Sequence, residues 1–295
     1  MIDSCKLSPE SYRLIRELQQ NEVNEEAVYL RLARRVKKES DRQVLEGIAR
    51  DEARHVQFWS QYTQEKMRPQ TWRVLFFMVL SAIFGYTFAI KIMERGERNA
   101  QEIYRLLAHE IPEAQKIAVE EELHEEQIAN LLDEERLQYV GSMVLGMNDA
   151  LVELTGTLVG LSFALKNTKL VALSGLITGI SAALSMASSE YLSVRSEGSA
   201  NAAKASLYTG VMYILAVACL VAPYFVISSQ GYLYAVGIMF LIVLALIYTF
   251  TYYISVALDQ PFTQKFVEMA SISLSVAALS FLVGYGVKLL LGIDL

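Results

Sequence analysis

Two stretches of this chain set carboxylates and imidazoles at spacings suited to metal ligation. One reads Asn21-Glu22-Val23-Asn24-Glu25-Glu26-Ala27-Val28-Tyr29-Leu30-Arg31-Leu32-Ala33, the other Gly96-Glu97-Arg98-Asn99-Ala100-Gln101-Glu102-Ile103-Tyr104-Arg105-Leu106-Leu107-Ala108. Glu, Tyr and Ala recur at the same positions 75 residues apart. Each phrase is followed by Glu-x-x-His, first Glu52-Ala53-Arg54-His55 and then Glu121-Glu122-Leu123-His124. Residues three apart share a helix face, so each Glu and His can reach one ion together. A lone Glu-x-x-His on a charged helix is ordinarily an exposed, salt-linked pair. Two of them, each behind a matched Glu-(x)6-Tyr phrase, form the donor set with which a four-helix bundle holds two irons through bridging carboxylates. Oxygen and imidazole donors suit iron, and suit Mn2+ equally. On this reading Glu52 and Glu121 bridge, and Glu22, Glu97, His55 and His124 are terminal ligands. The remaining histidine, His109, sits beside the Ile111-Pro112 turn and is structural.

The helices that must carry these groups follow in order. Ser8-Pro9 is a start signal for a helix over 9–38. Ser40-Asp41 breaks it and caps a second, running to about Lys66. A third ends near Glu110, and after the Ile111-Pro112 turn a fourth covers about 113–137. Val74 to Ile90 is apolar for 17 residues, which hydropathy alone would read as a short span. Crossing a bilayer there would separate Glu22 and Glu52 from Glu97 and Glu121. The stretch is therefore expected to be the long crossover between the second and third helices, about 67–92, with one helix of about 20 residues covering roughly 30 Å. Its apolar face would lie against a membrane surface or a second subunit.

Glu94 adds Glu94-x-x-Glu97 one turn earlier on the same face. This arrangement resembles the rubrerythrin branch of the ferritin-like superfamily, where an extra glutamate at that place serves the di-iron site. The resemblance covers roughly residues 10–137. The rubredoxin-type Cys-x-x-Cys module of full rubrerythrins is missing, which argues against an electron-transfer peroxidase.

Charge divides the chain: 45 of its 58 charged residues lie in 1–138 and 13 in 139–295. The first part reads as a water-exposed helical domain and the second as membrane. The fold expected is all-α, a ferritin-like four-helix bundle (1–138) followed by a five-span membrane domain (139–295). Its apolar segments are about 140–165, 170–194, 207–228, 232–257 and 267–291. Gly156-x-x-x-Gly160 and Gly175-x-x-x-Gly179 offer small-residue faces for close helix contact. Met1-Ile2-Asp3-Ser4 has neither a basic flank nor an apolar core, so no signal peptide is expected and the first domain is placed in the cytoplasm of a multi-pass inner (cell) membrane protein. Cys5 and Cys219 cannot make a disulfide framework, and the net charge of −6, with no basic patch interleaved with aromatics, gives no sign of nucleic acid.

Acids inside spans are costly and are functional candidates by default. Asp149 and Glu153 are four apart on the first span; Met186 and Glu190 are four apart on the second. Two carboxylates with a thioether suit transient binding of a divalent transition metal. Met147 is expected to be core packing and Glu268 an interface charge. Gly146-Met147-Asn148-Asp149-Ala150-Leu151-Val152 and Ala183-Leu184-Ser185-Met186-Ala187-Ser188-Ser189-Glu190-Tyr191 resemble the first- and second-span signatures of the vacuolar iron transporter family. That family often has Asp-Gly where this chain has Asp149-Ala150. The resemblance implies five spans, a homodimer, and a transport pathway through Asp149 and Met186. The metal-binding insert that some members carry between spans two and three has no room between Arg195 and Ala205, and the N-terminal domain takes its place. The whole chain resembles the membrane-bound ferritin group, which exports iron from the cytoplasm. The expected activity is efflux of Fe2+ or Mn2+, in exchange for protons or not, with the di-iron domain capturing or sensing metal. The competing reading is a membrane-tethered di-iron ferroxidase or peroxide-consuming enzyme, with the spans as anchor.

Overall fold

The computed structural model describes residues 7–130 and 138–291, except the side chains of 97–101, 129, 130, 281, 284, 285 and 287–291. Every regular element among the described residues is a helix. The chain forms two compact units, Met1–Glu134 and Glu135–Leu295.

The first unit holds α1 (Pro9–Ala33), α2 (Glu39–Thr63), α3 (Thr71–Phe84), α4 (Tyr86–Leu107) and α5 (Ala114–Asn130). Ser8 caps α1 by accepting a hydrogen bond from the Ser11 backbone, with Pro9 in the first turn, as those residue types favour. α1 stops at Ala33, short of the expected residue 38. α2 begins at Glu39 after Lys38, so Ser40 and Asp41 lie inside its first turn instead of capping it. The Asp41 carboxylate accepts from the Tyr86 hydroxyl at 2.8 Å and pairs with Lys38 at 3.5 Å. α1 packs on α2 and α4 on α5, α2 meets α5, and α3 lies against α1 and α4.

The stretch 74–90 is not one helix. α3 ends at Phe84, and Gly85, buried and at φ 99°, breaks the chain before α4 begins at Tyr86. A side chain at that φ would be strained, and hydropathy carries no trace of such a break. Residues 86–92 are thus the first turns of α4 and not part of the crossover.

Two apolar layers fill this unit. One contains Ile15, Leu18, Trp59, Tyr104, Leu107 and Ile117; the other contains Val28, Leu32, Ala49, Met78, Ile90 and Ile128. Along α1, α2 and α5 the candidate metal ligands fall between a residue of one layer and a residue of the other: Glu22 between Leu18 and Val28, Glu52 and His55 between Ala49 and Trp59, Glu121 and His124 between Ile117 and Ile128. These candidate groups form a polar layer between the two apolar ones.

The second unit holds α6 (Val140–Leu165), α7 (Thr168–Ser196), α8 (Ala202–Val226), α9 (Tyr232–Ala257) and α10 (Phe262–Leu291). α6 is central and touches the other four; α7 also packs on α8, α8 on α9, and α9 on α10. Among the described residues four helices, α6 to α9, are long and apolar enough to cross a membrane. The expected fifth segment, 267–291, falls in α10, part of whose side chains lie outside the described residues. α6 and α8 approach at Gly146, where a Cβ would stand 2.2 Å from the Thr209 carbonyl oxygen. The other small-residue positions are used within the chain: Gly156 meets Ser280, Gly175 meets Leu158, and Gly179 meets Val217 and Leu154, while a Cβ at Gly160 would meet nothing within 4 Å. Met147 is buried in the core, and Glu268 is exposed and paired with Lys265 at 3.4 Å.

Candidate metal centre and the carboxylates of the membrane unit

In the first unit Glu22, Glu52, His55 and Glu121 each bring one donor atom within 4.8 Å of the others. His55 Nδ1 stands 3.0 Å from Glu121 Oε1, 3.4 Å from Glu22 Oε2 and 3.5 Å from Glu52 Oε2. His124 Nδ1 lies 3.3 Å from Glu52 Oε1 and 3.4 Å from Glu121 Oε2, and the two imidazole rings are 6.1 Å apart. Glu52 and Glu121 therefore each turn one oxygen to one imidazole and the other oxygen to the second.

These contacts do not have hydrogen-bond geometry. Glu22 Oε2, Glu52 Oε2, Glu121 Oε1 and both Nδ1 atoms are buried without a hydrogen-bond partner. Leaving one buried polar atom unsatisfied costs about 1–3 kcal/mol, and more if it is charged. Three of these atoms gather around His55 Nδ1, and His124 Nδ1 faces the opposite oxygens of Glu52 and Glu121, a pattern that a fold tolerates when cations satisfy such atoms. Three carboxylates and two neutral imidazoles are a fitting donor set for iron or manganese.

The far nitrogens are held from outside. His55 Nε2 donates to Glu120 Oε2 at 2.9 Å, and His124 Nε2 donates to Asp51 Oδ2 at 3.2 Å. Since a carboxylate only accepts, Nε2 carries the proton and Nδ1 presents a lone pair inward when the ring is neutral. Asp51 and Glu120 each precede the glutamate of one Glu-x-x-His and serve the histidine of the other. Sequence reasoning passed over both, although an acid immediately before each motif was there to be read. On Glu22, Oε1 accepts from the Tyr104 hydroxyl at 2.9 Å and from Trp59 Nε1 at 3.4 Å. Tyr29 donates to Glu94. The tyrosine of each phrase thus serves an acid on the other phrase's helix. Glu94 is half-buried on α4, and Glu97's side chain lies outside the described residues. His109 is exposed in the turn after α4.

Without metal, the groups share protons unequally. Burial pushes Glu52 well above the usual carboxylate range, aided by the charges of Glu121 and Glu22. Burial would raise Glu121 as well, but the two adjacent imidazoles of His124 and His55 outweigh it and hold it low. For the imidazoles burial works downward and is overcome by the surrounding carboxylates: His55 is raised far above its ordinary value, and His124 to about 11. Glu94 is pushed up to about 7, first by burial and then by the charge of Glu121, against the Tyr29 hydrogen bond. Burial and the acids around it also raise the Tyr104 phenol.

In the second unit the four pathway candidates lie on α6 and α7. Asp149 is half-buried on α6, and Glu153 one turn on is exposed and accepts from the Tyr213 hydroxyl of α8 at 2.8 Å. Glu190 of α7 accepts from Ser142 Oγ of α6 at 2.7 Å. Met186 is half-buried one turn before Glu190, and no hydrogen bond joins it to Asp149. Thr209 ties the same region together by donating to the Ser142 carbonyl at 3.0 Å. Ser142, Thr209 and Tyr213 were not singled out from sequence, since a hydroxyl in an apolar run leaves no charge signal.

Residues 140–205, from the start of α6 to the first turn of α8, match the model of the VIT family. No curated protein and no solved structure matches the chain. The match takes in Asp149, Glu153, Met186 and Glu190, and supports a membrane domain of the VIT type. With its four long apolar helices, the chain is a multi-pass membrane protein.

Proposed function

We propose that this protein is a divalent-metal efflux transporter. Its VIT-type membrane unit carries Fe2+ or Mn2+, and a ferritin-like, rubrerythrin-like bundle on the cytoplasmic side of the cell membrane captures or senses that metal. The observation that carries the reading is the set of five buried, unpartnered donor atoms in the first unit, in the same chain as spans that match the VIT family. Glu52 and Glu121 are the bridging carboxylates, each with one oxygen toward each histidine. Glu22, His55 and His124 are terminal ligands. Glu97 completes the set by its place in the repeat, and Glu94, tethered by Tyr29, waits one turn away. Iron bound there would supply redox chemistry toward O2 or peroxide. The protein's own part is to fix the imidazoles through Asp51 and Glu120, to hold Glu22 with Tyr104 and Trp59, and to keep water out with the two apolar layers.

In the membrane unit the path runs past Asp149, Glu153, Met186 and Glu190, where carboxylates and a thioether offer weak successive sites for a passing cation. Glu153 is exposed although it sits within a span, which supports a homodimer in which a second copy covers that face. The five-span arrangement, with α10 as the last, follows the same resemblance.

The test is metal flux into proteoliposomes of the full chain. Asp149→Ala and Met186→Ala are each expected to abolish Mn2+ and Fe2+ flux while metal stays bound at the first unit. Full flux in both variants would sink the pathway. No flux even in the unaltered protein, with bound iron being oxidised, would favour the tethered enzyme.

A further inference from the structure

α3 presents two apolar faces. Val74, Phe77 and Met78 are buried against the bundle, while Trp72, Leu75, Phe76, Val79 and Ile83 are between 49% and 69% exposed. Positions 72, 76, 79 and 83 follow helical spacing and make one continuous stripe. A water-facing surface rarely carries such a stripe without a partner. The helix has no acidic residue, and its one charge, Arg73, is turned to Asn21 at 2.9 Å.

Basic residues gather at both ends of this helix. Lys66 and Arg68 precede it and are exposed. At the other end stands the α1–α2 turn, with exposed Arg34, Arg35 and Lys37, which Val36 and Leu32 anchor in the same layer as Met78 and Leu80. Ile128, near the end of α5, packs into that layer too. Val140, ten residues beyond Asn130, opens a helix long and apolar enough to cross a membrane.

We propose that the outer face of α3 lies in the headgroup layer of a bilayer containing anionic lipids. An apolar, tryptophan-bearing stripe flanked by Lys and Arg is the pattern of a helix lying in the interfacial plane. At 14 residues α3 is about 21 Å long, too short for a hydrocarbon core of about 30 Å, so it rests on the membrane and does not cross it. Two copies joined face to face through α3 would bring their basic ends together, whereas an anionic surface neutralises them.

The chain has two tryptophans, and they separate cleanly: Trp59 is fully buried and Trp72 is exposed. The difference in emission between the full-length protein and its Trp72→Phe variant, both in nanodiscs, isolates Trp72. The expected result is loss of most of that emission to lipids brominated on the upper acyl chain, protection from acrylamide, and a larger effect with phosphatidylglycerol than with phosphatidylcholine alone. Replacing exposed Phe76 and Val79 by Gln removes the bromolipid quenching, and Arg34→Glu with Arg35→Glu removes its dependence on anionic lipid. Trp72 open to acrylamide and untouched by bromolipid overturns the proposal. So does protection from both quenchers with Val79→Cys copies forming a disulfide, which assigns the face to a second copy.

Discussion

Asp51 and Glu120 show how single residues decide what the candidate metal centre can do. Each accepts a hydrogen bond from the Nε2–H of a histidine on the other helix, so that Nδ1 is the inward atom. In the metal-free bundle that atom is protonated at neutral pH, because the carboxylates raise His124 to about 11 and His55 further still. Ligation requires the lone pair, so the proton must leave as metal enters. The sign follows: protons compete with metal at every pH below about 11, and affinity rises as pH is raised toward that value. Adding Mn2+ to weakly buffered full-length protein at pH 7 should release at least two protons per chain, from the two imidazoles, with Glu52 adding to the number. Calorimetry repeated in buffers of different ionisation enthalpy measures the number, and uptake of protons, or none exchanged, would show that the imidazoles do not ligate. Glu22, Glu52, His55 and Glu121 were readable from sequence because identical spacing repeats. The crossed pairs Tyr29 with Glu94 and Tyr104 with Glu22 were not, since they depend on which helices face each other and at what height.

At the level of elements, helix starts with local chemistry were legible, as Ser8-Pro9 shows, whereas the break at Gly85 was not. A buried glycine inside an apolar run looks like one more apolar residue until its φ is known. The small-residue motifs were likewise visible as motifs, but their partners were not. Gly146, outside both of them, makes the tightest approach, against the Thr209 backbone. Backbone cannot yield as a flexible side chain can, so Gly146→Ala forces α6 and α8 apart at a cost of about 1–3 kcal/mol. Thermal unfolding of that variant in detergent should show a lowered midpoint, while Gly160→Ala, whose Cβ meets nothing within 4 Å, leaves it in place. Equal midpoints would mean that the two helices do not rely on this contact.

The molecule as a whole consists of two compact units, and the fall in charge after residue 138 lies close to their division at 134/135. Metal at the donor layer stabilises only the unit that contains it. At a free Mn2+ concentration of 1,000 times Kd the gain is about 4.1 kcal/mol. Scanning calorimetry of the full chain should therefore show one transition moving upward with Mn2+ and a second that stays. Two transitions moving together would mean that the units unfold as one. Composition could reveal that the halves differ, because desolvation penalises charge in every residue of a span. It could not reveal that α6 is the hub of the second half, which depends on packing among helices of similar composition.

The placement of the ligands also bears on how the protein is made. Glu22, Glu52 and His55 leave the ribosome well before Glu121 and His124, and His55 depends for its orientation on Glu120, while His124 depends on Asp51. A nascent chain that has reached only α3 holds Glu22, Glu52 and His55, and that imidazole still lacks Glu120. On the proposed reading, the ligand set is complete only once α5 has emerged.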